Sequence, residues 1–523
     1  MKRRTFLESS ALVLGAVGLP APVAPPLPRE LRRWLEPDDR ELADLALNAA
    51  RRAGASYADI RISRHFFQSI QTRERRLEWM NNDVTYGFGV RVLAAGVWGF
   101  AASRIVAEDE VARVARAAVD QAKLNARIPH APVELAPAEA FPDAEWSTPH
   151  RVDPFEVPIN EKVDFLLAMN AAGLDAGASF VSSGIRFQKH ERYFASTEGS
   201  YIRQTLLRVA APWTVTAVDR QAGRFASWDE NQRNAAAGWE FLLDQDYRGK
   251  IARATERVRE KLVAPTLDEA TKKDLVLLPS HLWLTMHESV GHPTELDRAL
   301  GYEANYAGTS FCAPDKLNEL QYASEIVSFE AEKQTPSSLA SVGWDDDGVP
   351  ADRWLLVRDG LFVDYQTTRD QVRWISDRTG VTRSHGCSYG EDWSLIQFQR
   401  MPNINLLPDP DGGSVDDLIA GVDDGLLIDT NGSFSIDQQR YNFQFAGQGT
   451  WEIKGGKRGR MLRDVAYQGN TVEFWNSCDG LGGPATYEVY GAYNDGKGQP
   501  SQINAVSHGC PPGRFRQVNV FPS

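Results

Sequence analysis

Between Leu275 and Pro293 the chain reads Leu-Val-Leu-Leu-Pro-Ser-His-Leu-Trp-Leu-Thr-Met-His-Glu-Ser-Val-Gly-His-Pro, and His287, Glu288 and His292 are the residue types that metal-assisted hydrolysis uses. Two imidazoles can grip one cation, and a carboxylate beside them can take a proton from water and return it to a leaving group. In the familiar zinc-peptidase pattern the two His stand four residues apart on one helical face. Here the spacing is five, which puts the rings about 140° apart on a regular helix and out of reach of a shared ion. Regular helix must therefore end between them. Ser280 is the expected N-cap of the helix. Gly291 tolerates unusual backbone angles and Pro293 disfavours helical geometry at His292, so a break there can swing His292 back toward His287. The plain alternative is that His287 caps a helix, Glu288 is a solvated charge and His292 sits in a turn.

The surrounding elements decide whether such a site can be held. A length of 523 residues with 42% hydrophobic content is enough for two sizeable cores. Asp38 to Ala53 has amphipathic helical spacing, Tyr57 to Gln71 alternates like a strand, and Gly87 to Ala102 reads as a hairpin turning at Ala94 to Gly96. Glu108 to Asn125 is Ala-rich and helical. A Pro-rich, acidic connection runs from Pro129 to Pro158, followed by a helix at about Asn160 to Ala176, strands up to Ala217, and a helix from Glu240 to Leu262. From Asp274 onward strands with Gly-bounded turns dominate, apart from the His-Glu helix. The expected fold class is α+β in two domains. A mixed α/β N-terminal domain spans residues 37–264, and a β-rich C-terminal domain carrying the metal-site helix spans residues 265–523.

Composition excludes other classes. A formal charge of −13 argues against a protein that grips the phosphate backbone, so nucleic acid is not an expected partner. No apolar run of eighteen or more residues follows the N-terminus, so no stable membrane span is expected. The N-terminus, with Arg3-Arg4 before Phe6-Leu7 and an apolar run from Ala11 to Leu19, reads as a twin-arginine-type signal peptide over residues 1–24. The corresponding expectation is an exported, periplasmic or otherwise extracytoplasmic protein. Four cysteines, Cys312, Cys387, Cys478 and Cys510, are too few for a disulfide-built scaffold.

Several separate segments resemble, in the same order, the TldD/PmbA metallopeptidase family, once described as modulators of DNA gyrase. They are Gly54-Ala-Ser-Tyr-Ala-Asp-Ile-Arg-Ile, the hairpin Gly-Val-Arg-Val-Leu-Ala-Ala-Gly-Val-Trp-Gly-Phe-Ala, the His-Glu segment, Trp344-Asp-Asp-Asp-Gly-Val-Pro, Asp495-Gly-Lys-Gly-Gln-Pro and Val506-Ser-His-Gly-Cys-Pro-Pro. The resemblance implies a zinc peptidase with one ion per catalytic chain, held by His287 and His292, with Glu288 as general base. It also implies a homodimer, or a heterodimer with a related chain, that takes extended or unfolded peptides as an added strand. Family members can lack the His-Glu motif and serve only as partners; this chain resembles the catalytic type. The family's third ligand is usually a Cys just before the Gly-Lys-Gly-Gln stretch, where this chain has Asp495. Asp495 is a credible replacement, Cys510 is its rival, and Cys478 and Glu295 are further alternatives. The competing functional class is a catalytically silent binding or assembly subunit of the same fold.

Other patterns weaken when weighed. Gly386-Cys-Ser-Tyr-Gly fits the nucleophile-elbow spacing, but Ser376 to His385 offers only Val381 as an apolar member of the strand that elbow needs. Ser-His-Gly-Cys occurs at both 384–387 and 507–510, leaving a Cys387–Cys510 disulfide, a second metal and coincidence open. Asp345-Asp-Asp-Gly lacks the ligand spacing of a calcium loop and reads as a tight turn. Gly455-Gly-Lys-Arg-Gly-Arg reads as a hairpin tip.

Overall fold

A computed structural model describes residues 38–230, 233–498 and 500–523. The expected signal segment 1–24 lies outside the described residues. The chain is α+β and rich in strands, as its apolar patterning predicts.

The first helix, Asp39–Ala53, is capped by Asp38, whose side chain accepts from the Arg40 N–H, and it ends at Gly54 with φ 102°. Its face of Leu42, Ala43, Ala46, Leu47 and Ala50 is buried with the matching face of the helix Glu108–Asn125 against strands Tyr57–Arg73 and Arg76–Ala94. The hairpin turn falls at Ala95 and Gly96, both at positive φ, the geometry a two-residue loop between twisted strands requires. Arg76–Ala94 starts eleven residues earlier than the expected strand. Its first half is exposed, so it carries no apolar alternation to read.

All nine strands of this first sheet lie between Tyr57 and Ala235. The Pro-rich connection contributes one of them, Ala144–Ser147, which pairs in parallel with Tyr201–Ala210. The expected helix from Glu240 to Leu262 is two helices, Glu240–Leu243 and Tyr247–Val263. Asp246 interrupts them because its side chain caps the second, accepting from the Gly249 N–H at 2.9 Å.

The remaining strands lie between Thr271 and Pro522. In the second sheet, Thr271–Leu277 pairs with Asp424–Ile436 and with Gly513–Pro522, and the pairings through Asn442–Lys454 and Val465–Asn470 close a ring of five strands. Closure leaves that ring no free edge. Phe443, Phe445, Tyr467, Phe474 and Phe515 fill it together with Leu282 and Met286 of the His-bearing helix. The third sheet runs Leu361–Phe362, Arg353–Arg358, Phe329–Glu332, Asn403–Leu406, Gln502–Cys510 and, at its edge, Glu488–Lys497.

Buried charge ties the two parts together. Asp346 is bonded by Arg61 at 3.5 Å and Arg192 at 3.0 Å, and Asp347 by Arg91 at 2.6 Å. Asp345 accepts from the N–H groups of Asp347 and Val349, so the acidic run is a turn whose last two carboxylates serve as anchors. Gly455 and Gly456, at φ 51° and 71°, make the expected hairpin tip. Among the described residues no helix is long and apolar enough to cross a membrane.

Candidate metal centre

The His-bearing helix spans Pro279–Met286, with Pro279 in its first turn and Leu278 at the N-cap. Ser280 is not the cap: its hydroxyl instead donates to Asp429 Oδ1 at 2.6 Å. The helix is buried on almost every side, as its nearly continuous apolar sequence demands.

The five-residue spacing is resolved differently from the sequence expectation. The helix neither breaks at Gly291 nor turns back at His292. It widens into one π turn over His287–Gly291, and the His292 N–H donates to the His287 carbonyl at 3.1 Å. An i to i+5 turn lets residues five apart stack along one face. His292 keeps helical angles, φ −65° and ψ −43°, despite Pro293. Gly291 is required for space rather than for a positive φ, since a Cβ there would lie 2.6 Å from Met401 Sδ. The two rings end with centroids 4.6 Å apart.

Asp495 completes the group from the edge strand Glu488–Lys497. Between Ala492 and Asp495 this strand carries one residue more than its partner Gln502–Cys510. Such a bulge re-aims the side chains beyond it. His287 Nε2 lies 3.6 Å and His292 Nε2 3.7 Å from Asp495 Oδ1, and one donor atom of each residue lies within 4.8 Å of the others. Tetrahedral zinc with bonds of about 2.0–2.1 Å separates neighbouring donors by about 3.3–3.4 Å, so two imidazoles and a carboxylate at these spacings fit such an ion.

The outward-facing atoms of all three are already committed. His287 Nδ1 lies 2.8 Å from His508 Nε2, and His508 Nδ1 lies 3.1 Å from the Ile404 carbonyl. That carbonyl can only accept, so the chain of bonds runs from His508 Nδ1–H to Ile404 and from His287 Nδ1–H to His508 Nε2, which leaves His287 Nε2 turned toward Asp495, to hold a proton there in the metal-free protein or to offer its lone pair to an ion. His292 Nδ1 is bonded to Glu295 Oε2 at 3.1 Å. Arg298 and Lys497 hold Glu295 in turn, each at 3.1 Å. Arg400 donates to Asp495 Oδ2 at 3.1 Å. Outer partners of this kind fix tautomer and ring orientation at metal sites.

The electrostatics follow from burial and charge. Burial lowers the pKa of His287, but the bonded Asp495 carboxylate outweighs it and the group stands above the ordinary His value. Burial, reinforced by the Arg440 charge, lowers His292 to about 4. Burial would raise Asp495, yet the His287 bond, the His292 charge and Arg400 hold it far below the carboxylate range. Burial and the neighbouring His287 push His508 well below the usual imidazole value.

Glu288 is buried, and its Oε2 is 2.5 Å from Arg440 Nη1. Arg440 comes from the hairpin between Asp424–Ile436 and Asn442–Lys454, at φ 63°. Cys510 is not among the converging donors; its thiol faces the Pro279 carbonyl at 3.8 Å, and burial pushes it well above its ordinary value. Cys478 faces Gly480, and Glu295 stands behind His292. All four cysteines are buried and free, so no Cys387–Cys510 disulfide is present. Ser388 of the Gly-x-Ser-x-Gly match lies in a two-residue strand with no following helix, outside any elbow.

A buried pair of imidazoles with an adjacent carboxylate and a neighbouring Glu is the constellation of a metallopeptidase, and comparison with known proteins agrees. The sequence matches the PmbA/TldA metallopeptidase domain 1 over residues 58–122, the central domain over 152–262 and the C-terminal domain over 271–521. The chain belongs to the PmbA/TldD family of metallopeptidases. It is 26% identical to a metalloprotease of Methanothermobacter thermautotrophicus, covering 89% of this chain and 95% of that one. It is 22% identical to a zinc metalloprotease TldD homologue of Saccharolobus solfataricus, covering 91% and 98%. In fold it is similar to a putative modulator of DNA gyrase from Thermotoga maritima, with TM-score 0.72 and 16% identity over 92% of this chain and 100% of that one. TldE from Thermococcus kodakarensis gives TM-score 0.66 and 16% identity over 91% and 99%.

The export expectation is corrected. Relatives such as the zinc metalloprotease TldD homologue support the metalloprotease and zinc part of the reading and give no support to a signal peptide or a periplasmic site. The signal-peptide and periplasmic assignments are therefore set aside.

Of the residues singled out in the sequence, His287, His292 and Asp495 converge, whereas His508, Arg400, Lys497 and Arg440 carried no expected role. The repeated Ser-His-Gly-Cys was a signal for His508. Lys497 lies in the Asp495-Gly-Lys-Gly-Gln-Pro segment, and nothing local marks Arg400 or Arg440.

Proposed function

We propose that this metallopeptidase is a zinc enzyme that hydrolyses extended or unfolded peptides, with His287, His292 and Asp495 as ligands and Glu288 as general base. The observation that carries the reading is the convergence of His287 Nε2, His292 Nε2 and Asp495 Oδ1 while the other atom of each group is held by His508, Glu295 and Arg400. When bound, zinc supplies a Lewis acid that polarises the scissile carbonyl and makes water a stronger acid. Glu288 takes one proton from the attacking water, whose oxygen bonds to the carbonyl carbon, and returns it to the amine as the C–N bond breaks. Arg440 fixes the Glu288 carboxylate through Oε2, so the base is positioned before substrate arrives. The strand carrying Asp495 is the edge of its sheet, which suits a peptide bound by main-chain hydrogen bonds with loose side-chain preference. The enzyme pairs with a second copy or a related chain, which light scattering of the purified protein would register as twice the monomer mass. The silent-subunit alternative rests on Asp495 standing where the family usually has a Cys; the retained Glu288, buried and held by Arg440, favours the enzyme.

The test combines bound-zinc analysis with cleavage of a fluorogenic unstructured peptide blocked at both ends. Wild-type protein should hold zinc and cut; Glu288→Gln should hold zinc and not cut. Equal turnover by both would remove Glu288 from the mechanism.

A further inference from the structure

A cavity of roughly 350 Å³ lies between the first sheet and the part of the chain that carries the metal centre, and its wall at Asp297 leads toward that centre through Lys497 and Glu295. Trp98, Tyr302, Tyr306 and Phe398 supply aromatic wall, and Asp297, Glu303, Asp347 and Asp370 supply carboxylates. Four lining side chains, each less than a tenth exposed, carry an oxygen without a protein partner: Glu303 Oε2, Gln371 Oε1, Gln397 Oε1 and Ser388 Oγ. Buried polar atoms are rarely left in this state, because each forfeits the hydrogen bond it made in water.

The character of those atoms selects the ligand. Three of the four can only accept. The cations nearby are spent: Arg91 on Asp59 and Asp347 at 2.6 Å each, Lys497 on Glu295 and Asp297, and Arg298 on Glu295 and the Ala307 carbonyl. Asp370 is met by the neutral Thr368 hydroxyl at 2.6 Å. An anionic ligand would meet acceptors and carboxylates. An ammonium or guanidinium would be drawn by the Glu303 and Asp370 carboxylates and lie against aromatic faces, with the orphaned oxygens within reach once the side chains that bear them turn toward it. Tyr302 and Tyr306 remain 61% and 44% exposed, so the aromatic wall reaches solvent.

The cavity is also joined to the site. Asp297 accepts from Lys497, Lys497 donates to Glu295, and Glu295 holds His292. We infer that the cavity is a subsite for an organic cation of the substrate, either a lysine or arginine side chain or a free N-terminal ammonium. Its role as a subsite rests on the peptidase reading; its affinity for the cation does not.

Binding is therefore measured first, by calorimetry on full-length Glu288→Gln protein, with Nα-acetyl-lysine methylamide, Nα-acetyl-norleucine methylamide and alanine methylamide. The lysine or the free-amine probe should bind at least about tenfold more tightly than the norleucine probe, and whichever is tighter identifies the source of the cation. Glu303→Gln and Asp370→Asn should each weaken the preferred probe by about tenfold, with thermal melts showing that the variants fold. Cleavage is read second, with zinc-loaded wild type and blocked peptides that differ only by lysine or norleucine at successive positions. One position should favour lysine.

Equal affinity for all three probes overturns the inference, and so does saturation of the cavity by calcium with no probe binding. Peptide cleavage without a lysine or free-amine preference overturns it while leaving the peptidase reading intact. Probe discrimination with no cleavage of any peptide keeps the cation site and sinks the peptidase reading.

Discussion

Two copies of one tetrapeptide, Ser384-His-Gly-Cys and Ser507-His-Gly-Cys, sit in opposite electrostatic surroundings. Each buries its Cys and stacks its imidazole on an indole, His385 on Trp354 at 4.3 Å and His508 on Trp283 at 5.9 Å. His385 stands between Asp352 at 2.7 Å and Asp364 at 3.1 Å, and though burial lowers its pKa, the two carboxylates carry it above the ordinary value. His508 stands between a backbone carbonyl and His287, and burial leaves it neutral. The same four residues thus make a charged clasp in one place and a neutral hydrogen-bond relay in the other. What an imidazole does here is decided by its neighbours, which come from other parts of the chain.

Breaking the donor group on the His508 side should give the largest effect. Asp495→Ala should lose bound zinc and lower peptide turnover by about 10³-fold or more, a loss on the scale of removing essential acid–base chemistry, as metal analysis and initial rates would show. His508→Phe keeps a ring against Trp283 but removes the acceptor for His287 Nδ1–H. Zinc affinity should fall by about 10–100-fold in a chelator competition, while His385→Phe leaves it unchanged.

The clasp should answer to pH instead. Because the folded pKa of His385 is raised above its unfolded value of about 6.5, its stabilisation is complete below that pH and is lost as pH rises through the folded value. His385→Gln should therefore cost about 1–3 kcal/mol in thermal melts at pH 6, with the gap to wild type narrowing toward pH 9. The smallest effect belongs to Cys510→Ala, which should leave zinc content unchanged and cost at most about 1–2 kcal/mol for a small buried side chain.

Much of this was legible from sequence because it rests on local patterns. Helix faces such as Leu42, Ala43, Ala46, Leu47 and Ala50, the turn at Ala95-Gly96, and the candidates His287, Glu288 and His292 are written in residue type and spacing, whereas Asp495 was picked out only by the family resemblance. The geometry that unites the site was not. A π turn and a helix break are equally consistent with Gly291 and Pro293, and the π turn that forms sets Gly291 against Met401, a neighbour the local sequence does not show. The bulge that aims Asp495 depends on how its strand pairs with Gln502–Cys510, and Arg440 reaches Glu288 from 152 residues away. Propensity and periodicity carry no information about either.

The most direct test is X-ray absorption at the zinc edge of the full-length, zinc-loaded protein. Two imidazoles and a carboxylate predict only nitrogen and oxygen scatterers at about 2.0–2.2 Å, and Asp495→Ala should abolish the bound ion. A sulfur shell near about 2.3 Å, or zinc retained by Asp495→Ala with an unchanged spectrum, would contradict the ligand set proposed for this enzyme.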